Sequence, residues 1–201
     1  MSTATMSSLP EKKRNLYLVG MPGSGKSTIG RSLAKCLQLT FVDADQALTE
    51  RTGVAIATIF EVEGEAGFRE RESALVAELC ACSDILVATG GGSILRAANR
   101  RLLHSTGVVV YLRAKLDDLW ARTRHDTKRP LLRADSPREV LASLLEIREP
   151  LYTEVADLIV ETVGYPKVTR LAQEIADRLV QNQLWQPPQI LHDDPNEPRR
   201  A

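Results

Sequence analysis

The glycine-rich run Gly20–Thr28 constrains this chain more than any other segment. It has the pattern Gly, four residues, then Gly-Lys-Ser, and it follows the apolar run Leu16–Val19. A helical pattern comes directly after it, with apolar residues four apart at Ile29, Leu33 and Leu37. A strand, a glycine loop and a helix N-terminus together surround an anion with main-chain N–H groups and with the positive end of a helix dipole. The run therefore predicts a phosphate-binding loop (P-loop) for a nucleoside triphosphate.

The same pattern assigns roles to individual side chains. Lys26 is expected to reach the β- and γ-phosphates, and the Ser27 hydroxyl is expected to ligate Mg²⁺. The predicted ATP-binding residues of this loop are Gly23, Ser24, Gly25, Lys26, Ser27 and Thr28.

Short apolar runs alternate with helical patterns along the chain. This alternation predicts a three-layer α/β fold with a mostly parallel five-stranded sheet. The glycine loop makes the expected fold P-loop NTPase-like, and the basic segment 122–136 is expected to add a mobile lid. The predicted strands are Leu16–Val19, Thr40–Val42, Ile85–Ala88, Val108–Leu112 and Leu158–Val160. The predicted helices are Ser27–Leu37, Gln46–Arg51, Glu65–Leu79, Leu116–Arg124, Pro137–Val155 and Lys167–Leu184. Such sheets bind ligands beyond the carboxyl ends of their strands.

Composition limits the partners. The 201 residues include 26 basic and 26 acidic side chains, so no net field attracts nucleic acid or an anionic membrane. No segment approaches the roughly 18 apolar residues of a membrane span, and the N-terminus lacks the apolar core of a signal peptide. We expect a cytoplasmic monomer that binds neither nucleic acid nor membranes.

The second predicted strand is followed by two carboxylates, Asp43 and Asp45. In an extended chain residues i and i+2 point to the same side, so both acids are expected to project toward the space above the glycine loop. Asp43 is the better candidate for the metal, and Asp45 for contacting substrate hydroxyls or accepting a proton. The alternative for Asp45 is a helix N-cap for the residues from Gln46 onward.

The segment 122–136 carries six basic side chains: Arg122, Arg124, His125, Lys128, Arg129 and Arg133. A solvated basic loop is one interpretation. In a protein that transfers phosphate, such a loop can also close over the triphosphate and neutralise its charge, and we expect this second role here.

Three further features are candidates for the acceptor side. The triplet Gly90–Gly92 follows the third strand and removes side chains where the main chain must approach a ligand closely. Arg69 shares a helix face with Glu72, but it could equally form a surface ion pair with Glu65. Arg148 is ambiguous in isolation.

Taken together, these residues resemble the shikimate kinase family from about Leu16 to Leu179. The resemblance rests on motifs in the same order along the chain, and the combination is far more specific than the glycine loop alone. The motifs are Gly20–Thr28, Asp43-Ala-Asp45, the segment from Ile59-Phe60 through Phe68-Arg69 to Glu72, Gly90–Gly92, Arg129-Pro-Leu-Leu132 and Arg148-Glu-Pro-Leu-Tyr152.

The resemblance implies Mg²⁺-dependent transfer of the ATP γ-phosphoryl group to the 3-hydroxyl of shikimate, in aromatic amino-acid (chorismate) biosynthesis. It implies catalytic roles for Lys26, Asp45 and Arg129, a metal site at Ser27 and Asp43, and further ATP contacts from Arg122 and Arg129. The implied shikimate-binding residues are Asp45, Phe60, Phe68, Arg69, Glu72, Gly90, Gly91, Gly92 and Arg148. In this assignment Arg69 and Arg148 hold the shikimate carboxylate as planar guanidinium forks.

The implied organisation is a flexible N-terminus at 1–13, a kinase domain at 14–184 and a Pro-rich disordered tail at 185–201. Within the kinase domain, residues of about 44–75 would bind substrate and about 122–136 would form the lid. Two other readings stay open: a gluconate, nucleoside-monophosphate or other small-molecule kinase with the same loop, and a nucleotide-dependent binding protein without acceptor chemistry.

Overall fold

A computed structural model describes residues 15–124, 136–162 and 167–186 of the chain. Its centre is a five-stranded parallel sheet in the order β2-β3-β1-β4-β5. The strands are β1 (Asn15–Val19), β2 (Thr40–Asp43), β3 (Ile85–Ala88), β4 (Gly107–Arg113) and β5 (Leu158–Glu161). The predicted α/β fold is confirmed, and each predicted strand lies within one residue of an observed one, because apolar runs buried on both faces mark parallel strands clearly.

Helices cover both faces of this sheet. The helices are α1 (Lys26–Leu37), α2 (Ala44–Thr52), α3 (Ile56–Ala81), α4 (Ala97–Thr106), α5 (Leu116–Thr123), α6 (Pro137–Val155) and α7 (Val168–Gln181). Side chains alternate along β1, so Leu16 and Leu18 pack with α1 and α7 on one face. Tyr17 and Val19 pack on the other face with residues of α2 to α6. The result is the three-layer arrangement that the sequence predicts.

Two helices differ from the prediction. Helix α3 begins at Ile56, well before the predicted start at Glu65, and it is kinked where Gly64 adopts φ +70°. Helix α4 is absent from the prediction, because it has only ten residues, two large apolar side chains (Leu102 and Leu103) and no side-chain N-cap.

The register of the sheet brings the site segments together. Asp43 at the end of β2 pairs with Ala88 at the end of β3, and Ala88 also pairs with Leu18 near the end of β1. Three neighbouring strands therefore end side by side at the carboxyl edge of the sheet. They are followed there by the glycine loop, the aspartates and the glycine triplet. This edge is where ligands bind in open parallel sheets.

The packed region extends slightly past its predicted end at residue 184. Trp185 is only 6% exposed and belongs to the apolar cluster beneath α1 and α7. The remainder of the predicted tail, 187–201, and the N-terminal segment 1–14 lie outside the described residues. In the described part of the chain, no helix has the length and apolar character to cross a membrane.

Candidate active site

The glycine loop joins β1 to α1. Gly25 precedes the helix at φ +94°, a left-handed conformation that side chains disfavour, and no described side chain caps the helix there. The first N–H groups of a helix have no acceptor within the helix. The loop therefore presents main-chain donors and the helix dipole to an anion, as the sequence predicts.

Two side chains of the loop fit a phosphate ligand. The Lys26 ammonium donates to the carbonyls of Gly20 at 2.8 Å and Met21 at 3.0 Å, which holds it folded back over the loop. The Ser24 hydroxyl is buried and has no hydrogen-bond partner among the described residues. A buried polar group of this kind costs free energy unless a ligand or water satisfies it.

Ser27 and Asp43 lie together at the start of α1 and the end of β2. The Ser27 hydroxyl donates to Oδ2 of Asp43 at 2.5 Å. Hydroxyl and carboxylate oxygens are hard ligands, and Mg²⁺ is commonly held by one or two protein oxygens together with phosphates and water. The pair therefore fits the predicted metal site. No cluster of three or more His, Cys, Asp or Glu occurs in the described ranges that could hold a metal by itself.

The prediction that both aspartates lie in extended chain is wrong. Helix α2 begins at Ala44, and Oδ1 of Asp43 accepts from the main-chain N–H groups of Asp45 at 3.1 Å and Gln46 at 3.2 Å. Asp43 is thus the N-cap, the role considered for Asp45 from the sequence, because its carboxylate satisfies the first helical donors. Asp45 lies in the first turn of α2, where a Cβ atom built on Gly90 would stand 3.0 Å from its Oδ1. Asp45 therefore faces the glycine triplet, but it does so from the first turn of a helix and not from the end of a strand.

Arg69 lies on α3 and is 8% exposed. It donates to Glu72 at 2.8 Å and to Glu65 at 3.0 and 3.3 Å, so the structure contains both of the pairings that the sequence left open. Burial disfavours the charged guanidinium, but the two carboxylates outweigh it and raise the pKa of Arg69 above its ordinary value. Arg69 is a fixed, permanently charged group, and Glu72 is its buried partner.

The glycine triplet leaves no room for side chains. A Cβ atom on Gly90 would lie 2.5 Å from Oε1 of Glu72, and one on Gly92 would lie 2.3 Å from both terminal nitrogens of Arg69. Both distances are well below normal van der Waals contact. Gly90 and Gly92 therefore pack directly against charged side chains, and the close contact of the triplet with a ligand stays a prediction.

Arg148 lies on α6 and is 2% exposed. Its Nη1 donates to the main-chain carbonyl of Gly91 at 3.2 Å, whereas its Nε is buried without a hydrogen-bond partner. No carboxylate of residues 15–124, 136–162 or 167–186 lies within ion-pair distance of it. A buried cation without a counter-charge is costly, so this position is suited to an anionic ligand.

Phe60 and Phe68 form the apolar side of this region. Their ring centroids are 4.6 Å apart, and the Arg69 guanidinium lies 5.1 Å from the centroid of the Phe68 ring. The two rings thus support the position of Arg69 and offer an apolar wall beside it.

Of the two arginines predicted to contact ATP, Arg122 lies among the described residues. Arg122 donates from Nη1 to the Gly23 carbonyl at 3.1 Å and from Nη2 to the Thr162 carbonyl at 3.4 Å, so it links the glycine loop to the end of β5. Arg129 and most of the predicted lid, 125–135, lie outside the described residues, as does the segment 163–166.

Sequence reasoning missed two residues of this site. The Tyr152 hydroxyl donates to the Gly91 carbonyl at 2.5 Å. Ser93 donates to Oε1 of Glu72 at 2.8 Å and so fixes the partner of Arg69. Tyr152 had one usable signal, since it lies four residues after Arg148 and therefore on the same helix face. Nothing local marked Ser93.

Comparisons with known proteins agree with the family resemblance seen in the sequence. The family model described as shikimate kinase matches residues 22–183. The shikimate kinase of Nitrosospira multiformis is 51% identical over 165 residues, covering 82% of this chain and 84% of that protein. The shikimate kinase of Pseudomonas fluorescens is 53% identical over 168 residues, covering 84% of this chain and 97% of that protein. Among solved structures, shikimate kinase from Acinetobacter baumannii in complex with shikimate has a TM-score of 0.83 and 43% identity, covering 86% of this chain and 96% of that one.

Proposed function

This chain belongs to the shikimate kinase family, and we propose that it carries out the family's reaction with the residues assembled at this sheet edge. It is a kinase that transfers phosphate from ATP to shikimate. The proposal adds the 3-hydroxyl as acceptor, Mg²⁺ as the metal, and the role of each side chain.

The observation that carries the acceptor assignment is the buried, uncompensated Arg148. Arg69 already has two carboxylate partners, Glu65 and Glu72, whereas Arg148 is buried with no described carboxylate within ion-pair distance. A carboxylate on the substrate would supply the partner that Arg148 lacks. Both arginines lie against the same glycine triplet, Arg69 at Gly92 and Arg148 at Gly91, so one planar carboxylate could bridge them.

On the donor side, we assign the triphosphate to the main-chain donors of the glycine loop, with Lys26 turned from the loop carbonyls toward the β- and γ-phosphates. Ser27 and Asp43 would hold Mg²⁺, which when bound neutralises phosphate charge and orients the transferred group. Thr28 and Arg122 complete the proposed donor side, and Arg129 stays a prediction from the resemblance.

Transfer is an in-line displacement. The acceptor hydroxyl oxygen forms a bond to the γ-phosphorus while the bond to the β–γ bridging oxygen breaks, and ADP leaves. Asp45 would orient that hydroxyl and accept its proton. Since the transition state is loose, positioning by Asp45 contributes more than its basicity, and Lys26, Mg²⁺ and Arg129 would neutralise the charge of the transferred group.

The decisive experiment measures ADP release from ATP and Mg²⁺ with and without shikimate. We expect release that depends on shikimate and is lost in Lys26→Ala, and ³¹P NMR should place the new phosphate on the 3-hydroxyl. Gluconate and nucleoside monophosphates serve as alternative acceptors. Equal or faster turnover with one of them would contradict the proposal, and tight ATP binding with no acceptor-dependent ADP would favour a nucleotide-dependent binding protein.

A further inference from the structure

Tyr152 is a fully buried tyrosine, one helical turn after Arg148 on α6. Its hydroxyl donates to the Gly91 carbonyl at 2.5 Å and lies 3.9 Å from the Met21 sulfur in the glycine loop. Its ring stacks on Tyr111 of β4, with centroids 4.9 Å apart and planes 22° from parallel. The ring is therefore fixed by packing, and the hydroxyl is directed at one carbonyl of the substrate-side triplet.

That carbonyl is shared. Gly91 accepts from the Tyr152 hydroxyl at 2.5 Å and from Nη1 of Arg148 at 3.2 Å. A carbonyl oxygen has two lone pairs, so these two donors fill its capacity. The tyrosine takes the shorter bond, and the arginine takes the longer and weaker one.

The weak hold on Arg148 matters because a guanidinium has five N–H donors. Its Nε is buried without a partner in the described part of the chain, so Arg148 keeps donors for an anion. If the tyrosine hydroxyl were absent, the Gly91 carbonyl would lack its closest donor. The guanidinium would then move toward that carbonyl, away from the geometry that leaves its donors available.

We propose that Tyr152 is a positioning residue for the acceptor: its hydroxyl fixes the Gly91 carbonyl and keeps the Arg148 guanidinium turned toward the substrate carboxylate. This inference rests on the proposed assignment of Arg148 to the shikimate carboxylate. It makes the tyrosine a determinant of acceptor affinity that does not itself touch the reacting atoms.

The chemistry of the hydroxyl suits this role. Burial raises the pKa of Tyr152 above the ordinary value for tyrosine, although the nearby Arg148 acts in the opposite direction. The hydroxyl therefore stays protonated and remains a donor throughout the range in which kinases work.

Tyr111 offers a matched control. It is the other ring of the stacked pair and is equally buried, but its hydroxyl donates to Glu149, which pairs with Arg113 away from the triplet. Tyr111→Phe and Tyr152→Phe each remove one buried hydroxyl and leave the stacked rings in place. The two variants therefore differ mainly in which carbonyl or carboxylate loses its donor.

The test compares steady-state kinetics of both variants with the wild-type protein, varying shikimate and ATP separately. For Tyr152→Phe we expect the KM for shikimate to rise about 3- to 10-fold, the range that corresponds to losing one buried hydrogen bond. The KM for ATP and the kcat should change less than about twofold, and Tyr111→Phe should leave both KM values unchanged. Calorimetric titration with shikimate should give a matching rise in Kd. Only folded protein binds shikimate in this titration, so the Kd can be measured even if the variant is less stable.

An unchanged KM and Kd for shikimate in Tyr152→Phe would overturn the inference. Equal rises in the KM for shikimate and for ATP, or the same rise in Tyr111→Phe, would also overturn it, because they would indicate loosening of the whole site. A wild-type protein without shikimate-dependent turnover would instead contradict the proposed function, and the inference with it.

Discussion

The guanidinium of Arg69 lies against Gly92 so closely that a Cβ atom on this glycine would be 2.3 Å from both of its terminal nitrogens. Gly92 itself has φ −103°, a conformation that alanine adopts without strain. Space alone, and not backbone conformation, therefore excludes a side chain here. This relationship links the glycine triplet to the proposed carboxylate clamp.

We predict that Gly92→Ala lowers kcat/KM for shikimate by about 10-fold or more, since the methyl group must displace the guanidinium. In an Arg69→Ala background the same change should cost less than about twofold, because the atoms it would strike are gone. Steady-state kinetics on the wild type, the two single variants and the double variant give the coupling free energy between Gly92 and Arg69. Equal effects in both backgrounds would show that Gly92 and Arg69 act independently.

Removing the side chain of the buried Arg148 should directly weaken binding of the acceptor. Arg148→Ala is expected to lower kcat/KM for shikimate by about 10- to 150-fold, or roughly 1.5–3 kcal/mol, the loss of a charge-assisted contact. Arg101→Ala, which truncates an exposed arginine on α4, should have no effect. Wild-type turnover in Arg148→Ala would show that the carboxylate-clamp assignment is wrong.

Asp43 combines two roles that one substitution can separate. Asn caps helices about as well as Asp, so Asp43→Asn should keep the bonds to Asp45 and Gln46 and lose less than about 0.5 kcal/mol of stability. The Mg²⁺ concentration for half-maximal activity should nevertheless rise about 10-fold or more, because a charged metal ligand is lost. Urea unfolding and a Mg²⁺ titration measure the two effects.

Asp43→Ala is the comparison for that experiment. It removes the cap as well as the charge and should destabilise the fold by about 0.5–2 kcal/mol. If Asp43→Asn kept the wild-type Mg²⁺ requirement, the carboxylate would serve only as the cap.

Buried tyrosines should limit stability at alkaline pH. Burial raises the pKa of Tyr17 and Tyr111, as it does for Tyr152, above the ordinary value of about 10. Such a group contributes its full stability below the pKa of the unfolded chain and loses it as the pH rises toward the folded pKa. Above pH ~10 each should therefore lower the unfolding free energy by about 1.4 kcal/mol per pH unit.

Urea unfolding between pH ~9.5 and ~11 checks this slope. Tyr17→Phe and Tyr111→Phe should each make the decline shallower by about the contribution of one proton. Each Phe variant removes one phenol and leaves every other titratable side chain in the sequence. A variant with the wild-type slope would show that its tyrosine ionises normally in the folded protein.

The parts of the site that depend on local chain geometry could be predicted from the sequence. The glycine loop, Lys26 and Ser27 follow from one short pattern and its flanking strand and helix. The strands were predictable within a residue because burial on both faces of a parallel sheet leaves uninterrupted apolar runs. The identity of the candidate acceptor residues came from the resemblance, since Arg69 and Arg148 were each ambiguous alone.

The prediction for Asp45 failed because a side chain hydrogen-bonds to the main chain and changes the local secondary structure. The sequence predicts extended chain through Asp45, but the carboxylate of Asp43 accepts from the N–H groups of Asp45 and Gln46 and starts a helix there. Helix α4 is absent from the prediction because it is short, has only two large apolar side chains and lacks a side-chain N-cap. The contacts of Ser93 and Tyr152 join residues 21 and 61 positions apart, so no local pattern could indicate which residues they bind.

The hydrogen bonds from Arg148 and Tyr152 to Gly91 reach back 57 and 61 positions along the chain. Ribosomes release a protein from its N-terminus, so a growing chain that stops before α6 already contains the glycine loop, Ser27 and Asp43. It lacks Arg148, one of the two cations that we assign to the acceptor carboxylate. The proposed acceptor site is thus completed only after the glycine loop and the proposed metal ligands have been made.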